Sequence, residues 1–423
     1  MIRGGDILSG KKRIILTPSY MKGFNCIGSL CEDSCCIGWR VVLDKHTYLK
    51  YKKIQDKELK PIFQKMINRE RGIKNNEAYG KIKMEKNGRC PFLDEKNLCK
   101  IYQKLGEEYL SDTCTFYPRI VNIIDGKFER SASVSCLEIT RIALLNPNGI
   151  VFEQIEENLE IPIKINGIVD IKGYEYLNKI ERYFWDIRMF SLSLLQNRKY
   201  MLSERLMILG IVYKKIQLLH LNNNIKDIPL MLADMVKLIE NGSFKEELGK
   251  VPTNTQLQMS IAKWMIDVNV LLGITNERYK ECTSETLVGL GFIEGVEIED
   301  IEDIVENYET NYSKYLSEYF KEKEYILENY LVNEYFKELM PFGNYKSIWD
   351  SYIFLCVIYS MIKLHIIGMA GYHKGFNDDL TLKLIQCFSK VILHNNEYIQ
   401  YIIKLLKDHE YDSLAYMSIL VKN

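Results

Sequence analysis

The chain changes its hydrophobic rhythm about a third of the way along. Up to residue 145 the apolar positions come in short runs, such as Arg13 to Thr17 and Val121 to Ile124, with turn signals at Asn87-Gly88 and Asp125-Gly126. This pattern predicts loops, short helices and a hairpin. Asp125-Gly126, between Ile120–Ile124 and Lys127–Ala132, has the composition of a two-residue turn, and such a hairpin brings Cys114 and Cys136 towards one end of a strand pair. Between them the first cysteines and the next, Lys45 to Arg71 carries Tyr48, Tyr51, Ile54, Leu59, Ile62, Phe63 and Met66 at helical spacing, which predicts a helix packed on the cysteine core.

Asn146-Pro147-Asn148-Gly149 is a concentrated turn signal and marks a boundary between residues 1–145 and 146–423. Past it, spacings of three and four dominate. They predict helices over Tyr174–Gln196, Ser203–Leu221, Ile228–Ile239, Thr255–Leu272, Asn311–Leu339, Ser347–Gly368, Leu380–Val391 and Tyr398–Leu406. The expected fold is therefore mainly α: a small irregular cysteine-rich domain followed by an all-α domain. No G-x-G-x-x-G fingerprint joins a strand to a helix, so a Rossmann fold is not expected, and no repeat of fixed period occurs. The glycines from Gly289 to Gly295 follow a helical segment and precede an acidic one. Tyr352 to Ala370 is apolar for nearly the length of a membrane span, but Lys363 and His365 fall inside it, which favours a buried core helix over a transmembrane one.

Charge sharpens the division. The 423 residues have a formal net charge of zero, yet residues 1–150 hold 27 Lys+Arg against 17 Asp+Glu, and the rest hold 29 against 39. No block of basic residues interleaved with aromatics points to nucleic acid. Eight of the 11 cysteines lie in the basic part: Cys26, Cys31, Cys35, Cys36, Cys90, Cys99, Cys114 and Cys136. The N-terminus lacks the apolar core of a signal peptide, which leads us to expect a reducing cytoplasm, where clustered cysteines serve as metal or cluster ligands rather than disulfides. The other three, Cys282, Cys356 and Cys387, are scattered.

Four cysteines within eleven residues, Cys26-x4-Cys31-x3-Cys35-Cys36, can converge thiolates on a zinc ion or an iron-sulfur cluster. The adjacent Cys35 and Cys36 do not easily face one ion, so two metals, a polynuclear cluster or one bystander cysteine are all open. The C-x3-C-x2-C signature of radical S-adenosylmethionine enzymes is not met, because Gly38 stands where its third thiol would be. No CxxC pair occurs, which argues against zinc ribbons and thioredoxin-like chemistry. Among the neighbours, Trp39 is expected to shield the site, Pro118 to set a turn, Arg119 to hold a carboxylate, Glu32 and Asp33 to face solvent, and His46 to lie on the surface rather than ligate.

The order Cys26, Cys31, Cys35-Cys36, Cys90-Pro91, Cys99-x-Ile101-Tyr102 and Cys114-x-x-Tyr117-Pro118-Arg119 resembles the zinc- or iron-chelating "CxxCxxCC" domain. Thr17-Pro18-Ser19-Tyr20-Met21, Cys35-Cys36-x-Gly38-Trp39, Leu110-x-x-Thr113-Cys114-x-x-Tyr117-Pro118-Arg119 and Ser135-Cys136-x-Glu138 resemble the bacterial flagellin lysine-N-methylase family. The likeness continues through Asn329-Tyr330-Leu331, Met340-Pro341-Phe342 and Ala370-Gly371-Tyr372-His373. Two departures are Leu137, where the family usually has proline after the last cysteine, and an extension of about ten residues at the N-terminus.

The resemblance implies methyl transfer from S-adenosylmethionine to lysine side chains of flagellin, with a 4Fe-4S cluster as cofactor, zinc being the alternative metal. The attacking lysine must be neutral, and its ordinary pKa of about 10.4 calls for a proton acceptor. Tyr372 and His373, in an expected loop between Gly371 and Gly375, are the candidate pair, and no residue is singled out for S-adenosylmethionine. The competing classes are a metal-stabilised protein-binding module and a redox-sensing iron-sulfur protein.

Overall fold

The described residues pack around a small core in the N-terminal part and a large core through the helices, with a minor cluster of Ile124, Ile171, Phe184 and Leu339. The protein is described by a computed structural model over residues 12–38, 40–71, 75–273, 276–292 and 301–422. Its first part forms β1 (Lys12–Pro18), β2 (Val42–Leu43), α1 (Lys45–Lys52), α2 (Leu59–Met66), β3 (Ile67–Arg69), β4 (Gly80–Ile82), α3 (Lys100–Leu105), α4 (Asp112–Phe116), β5 (Arg119–Ile124), β6 (Lys127–Ala132), α5 (Leu137–Leu144), β7 (Phe152–Asn158) and β8 (Ile165–Val169). A three-stranded sheet, β2-β4-β3, and helices α1 and α2 enclose the small core of Val41, Leu43, Tyr51, Phe63, Phe92 and Ile101.

The predicted hairpin is present: β5 and β6 pair antiparallel with Ile124 opposite Lys127, and Asp125 and Gly126 take φ of 49° and 80°, as a two-residue turn with both central residues left-handed requires. The single helix expected over Lys45–Arg71 is instead two helices and a strand. Asp44 caps the first, accepting from the Thr47 N–H at 2.8 Å, and the carboxylate of Asp56 accepts from the Leu59 N–H at 2.8 Å, starting the second.

The expected boundary falls at the turn between residues 145 and 149. The turn there is real, but the strands on either side of it join one five-stranded sheet in the order β7-β1-β6-β5-β8. The sequence pattern concealed β7 because it is an edge strand rich in glutamate. Its Glu157 faces Arg13 across the pair with β1 at 2.9 Å, and Glu156, opposite Ile14, bonds the diagonal Lys12 at 2.7 Å, so opposite charges replace apolar alternation.

Among the described residues thirteen α-helices follow: α6 (Phe184–Leu195), α7 (Leu202–Leu221), α8 (Ile228–Glu240), α9 (Lys245–Lys250), α10 (Thr255–Leu271), α11 (Glu277–Leu290), α12 (Ile301–Asn311), α13 (Ser317–Lys323), α14 (Tyr325–Lys337), α15 (Ile348–His373), α16 (Asp378–Phe388), α17 (Asn396–Asp408) and α18 (Leu414–Val421). The stretch expected as one helix over Asn311–Leu339 is broken into a π-turn at Tyr312–Leu316, then α13 and α14. The mainly α fold expected from the pattern is what the chain adopts, with no Rossmann-like sheet among the described residues.

The apolar 352–370 stretch lies in α15, whose most apolar window is wholly buried inside the protein. Lys363 is held there by the Val421 carbonyl at 3.0 Å, with burial pushing its ammonium down to about 7. Helices α11 and α15 touch backbone to backbone: a Cβ on Gly289 would lie 1.8 Å from the Gly368 carbonyl oxygen, so the crossing admits no side chain.

Buried polar groups fasten the sheet to the helices. Arg188 of α6 bonds Glu129 of β6 at 2.7 Å and the Met340 carbonyl at 2.7 Å. On the fully buried α14, Asn329 donates to the carbonyls of Leu144 and Asn146, and Asn333 to that of Ala132. A buried amide that satisfies main-chain carbonyls fixes one docking geometry, because any slip leaves those groups unpaired.

Candidate metal centre and its surroundings

All eight N-terminal-region cysteines reach one cavity of about 480 Å³ between the small core and the helical body. Short loops bring them there. Gly38, at φ of 83°, turns the chain after Cys35-Cys36, and its N–H bonds the Gly88 carbonyl at 3.0 Å. The Cys90 N–H bonds the Cys36 carbonyl at 2.9 Å, and Leu93 forms a bridge with Cys99. Cys36, Cys90 and Cys99 thus belong to the small core, whereas Cys136 packs on the large one.

Helix N-termini face several of these sulfurs. Cys99 is the N-cap of α3, Cys136 that of α5, and Cys114 lies in the first turn of α4, where the Ser111 hydroxyl accepts from its N–H. Unpaired N–H groups and the helix dipole favour a thiolate at such positions.

The thiols' electrostatic neighbours fall into two sets. The Cys90 thiol is pushed up to about 12, first by burial and then by charge on Cys36, Cys114 and Cys99; that of Cys114, a residue partly open to solvent, is raised by desolvation of its sulfur and by charge on Cys36 and Cys99. Burial likewise pushes Cys136 up to about 11, and there the added repulsion comes from Cys31 and Cys26. Cys35 sits between the sets: its thiol is raised well above the ordinary range, chiefly by its hydrogen bond to the Cys36 sulfur, with burial next. Cys36 accepts that bond and is lowered to about 7. Adjacent Cys35 and Cys36 therefore hold opposite preferences, and a positively charged centre is what would let all eight ionise together.

Among the described residues no three His, Cys, Asp or Glu side chains converge on one ion-sized point; the thiols stand around the cavity. The donor set fits a thiophilic metal or an iron-sulfur cluster, being rich in sulfur and lacking histidine on the wall. His46 is exposed on α1 and away from the wall, and Trp39 lies outside the described residues.

Asp33 corrects the sequence expectation of a solvent-facing carboxylate. Its side chain is 9% exposed and bonded to Lys390 Nζ at 3.0 Å and to Gln386 Nε2 at 2.7 Å. Gln386 also donates to the Ser135 carbonyl at 2.8 Å, so α16 and the turn after it clasp the loop of Cys31–Cys36 and the approach to Cys136 together. Lone polar residues in an apolar pattern are the only trace of this in the sequence. Glu32 is over half exposed and pairs with Arg141.

Arg119 lies on the cavity wall with its guanidinium 5.0 Å from the centre of the Phe24 ring, and among the described residues no carboxylate bonds it. Tyr117, also on the wall, shares Ser135 Oγ with His394, at 3.1 and 2.8 Å. Tyr372 and His373 are not in a loop: they are the last residues of α15, His373 bonds Glu285 at 3.1 Å, and neither lines the cysteine cavity. Cys282 and Cys387 lie in the helical core, 3.8 Å apart, and Cys356 is buried on α15.

Comparison with known proteins agrees with this geometry. Residues 188–420, more than half of the chain, match the FliB lysine N-methylase C-terminal domain. The chain belongs to that family. Residues 25–137, from just before the first cavity cysteine to just past the last, match a zinc- or iron-chelating domain. The lysine-N-methylase of Salmonella typhimurium (strain LT2) is 35% identical over 145 residues, 34% of this chain and 36% of that protein. The flagellar biosynthetic protein FliU of Salmonella muenchen is 36% identical over 141 residues, 33% of this chain and 82% of that protein. The match thus spans about a third of the curated lysine-N-methylases. No solved structure matches.

Proposed function

We propose that this member of the FliB family is a protein-lysine N-methyltransferase that moves a methyl group from S-adenosylmethionine to lysines of flagellin, in a reducing cytoplasm. The observation that carries the reading is the convergence of eight thiols on one cavity in a chain of this family. The names of its relatives, lysine-N-methylase and flagellar biosynthetic protein, support the reaction and the flagellar substrate. The thiols of Cys36, Cys90, Cys99 and Cys114, or those of Cys26, Cys31, Cys35 and Cys136, would hold a 4Fe-4S cluster, each set having the four thiolates such a cluster takes; zinc is the alternative. A bound cluster supplies a clamp between the two cores and an iron centre that responds to redox state.

The chain's own residues meet the demands of attack by an amine. Asp33 and Glu138 on the wall are engaged by Lys390 and Arg141, which leaves Glu107 as the carboxylate open to an incoming ammonium. Glu107, an exposed residue, attracts the substrate ammonium and receives its proton, while Tyr51, Phe92 and Tyr117 line a more apolar wall that favours the neutral amine. Coexpression with flagellin tests the reading: mass spectrometry is expected to find lysines heavier by methyl increments, and unmodified flagellin beside soluble, metal-loaded protein would overturn it.

A further inference from the structure

A second cavity, of about 410 Å³, adjoins the cysteine cavity; Glu107, Thr115 and Arg119 belong to the walls of both. Its size suits a small molecule. Its chemistry is that of an anion site. Four cations, Lys22, Arg119, Arg130 and Lys164, line it against two carboxylates: Glu107, whose charge acts on Arg119, and Glu157, already divided between two guanidinium groups, Arg130 at 2.7 Å and Arg13 at 2.9 Å. Two donors on this wall have no partner among the described residues: Nε of Arg130 and the hydroxyl of Thr17, a residue with no exposed surface. Buried donors are nearly always satisfied, so these two orphans point to a missing acceptor, and the exposed Arg119 guanidinium on the same wall adds a cation free to turn towards it.

We propose that this cavity receives the α-carboxylate of S-adenosylmethionine, held by the Arg119 guanidinium, with Arg130 and Thr17 behind it, so that the sulfonium end points past Arg119 into the cysteine cavity. The inference rests on the methyltransferase reading. A guanidinium matches a carboxylate with two parallel N–H bonds, which lysine cannot copy. Arg119 is the hinge of the arrangement because it belongs to both walls.

The test is calorimetric binding of S-adenosylmethionine and of its decarboxylated analogue to the metal-loaded full chain, in the wild type and in Arg119→Ala, Arg119→Lys and Thr17→Val. The expected result is that Arg119→Ala weakens S-adenosylmethionine by about 10- to 100-fold, as loss of a charge-assisted pair implies, and leaves the analogue unchanged. Arg119→Lys and Thr17→Val, with iron content equal to the wild type, are expected to show smaller losses of the same selectivity. If the wild type binds and the variants weaken both ligands equally, or neither, the carboxylate assignment is overturned while the methyltransferase reading stands. If the wild type binds neither ligand, the methyltransferase reading falls, and this assignment with it.

Discussion

Replacing Lys390 by methionine isolates the clasp between the cysteine loop and the helical body. Asp33 and Lys390 have 9% and 4% of their side chains exposed and meet at 3.0 and 3.1 Å, so solvent screens the pair little. Removing one member leaves the Asp33 carboxylate buried with only the Gln386 amide, a situation that costs about 3–5 kcal/mol. Replacing both, as Asp33→Leu with Lys390→Met, removes the charge along with its partner and is expected to recover most of that loss. Urea unfolding of the four proteins, followed by tryptophan fluorescence and circular dichroism, closes the double-mutant cycle. The single variants should also retain less metal, because the clasp positions Cys31, Cys35 and Cys36. A loss below about 1 kcal/mol in the single variants, the value of an exposed pair, or strict additivity in the cycle would refute this account of how the two cores are joined.

Other expectations follow from the same packing and chemistry. Cys114→Ser should lower bound metal and reduce the melting temperature, whereas Cys282→Ser should leave the metal content at the wild-type value; elemental analysis of the purified proteins decides both. Gly289→Ala should destabilise by at least about 1–3 kcal/mol, measured by urea unfolding, because its methyl would collide with the Gly368 carbonyl. His365 is buried on α15, bonded through Nδ1 to the Met361 carbonyl, and burial lowers it to about 4. The unfolded chain therefore binds the proton first: the folded state loses about 3 kcal/mol as pH falls from about 6.5 to 4 and holds its full value above. His365→Gln should flatten that part of the stability profile, and an unchanged slope would show that other groups produce it.

How much of this was legible in the sequence depends on what kind of signal each part carries. Helices α7, α8, α10 and α17 were found within two residues of their ends, since their apolar residues recur at helical spacing and face one large core. Helix α11 was missed: its crossing with α15 uses glycine and threonine, so the buried face is small and polar rather than aliphatic. Strands β7 and β8 were hidden because cross-strand ion pairs and edge positions replace the apolar alternation by which a strand is recognised. All eight cysteines chosen on spacing line one cavity, because sulfur ligation needs particular residue types in tight loops. Asp33, Gln386, Lys390 and the Arg119 pocket depend on segments up to about 350 residues apart meeting in space, which spacing along the chain does not encode.

The central claim is methyl transfer to flagellin by a chain whose thiols hold a metal centre. It is tested most directly by peptide mass spectrometry of flagellin coexpressed with the wild-type protein, with Cys114→Ser, or alone. The account predicts lysines carrying added methyl groups only with the wild type, and modification lost together with bound metal in the variant. Flagellin that remains unmodified beside soluble, metal-loaded wild-type protein would contradict the claim.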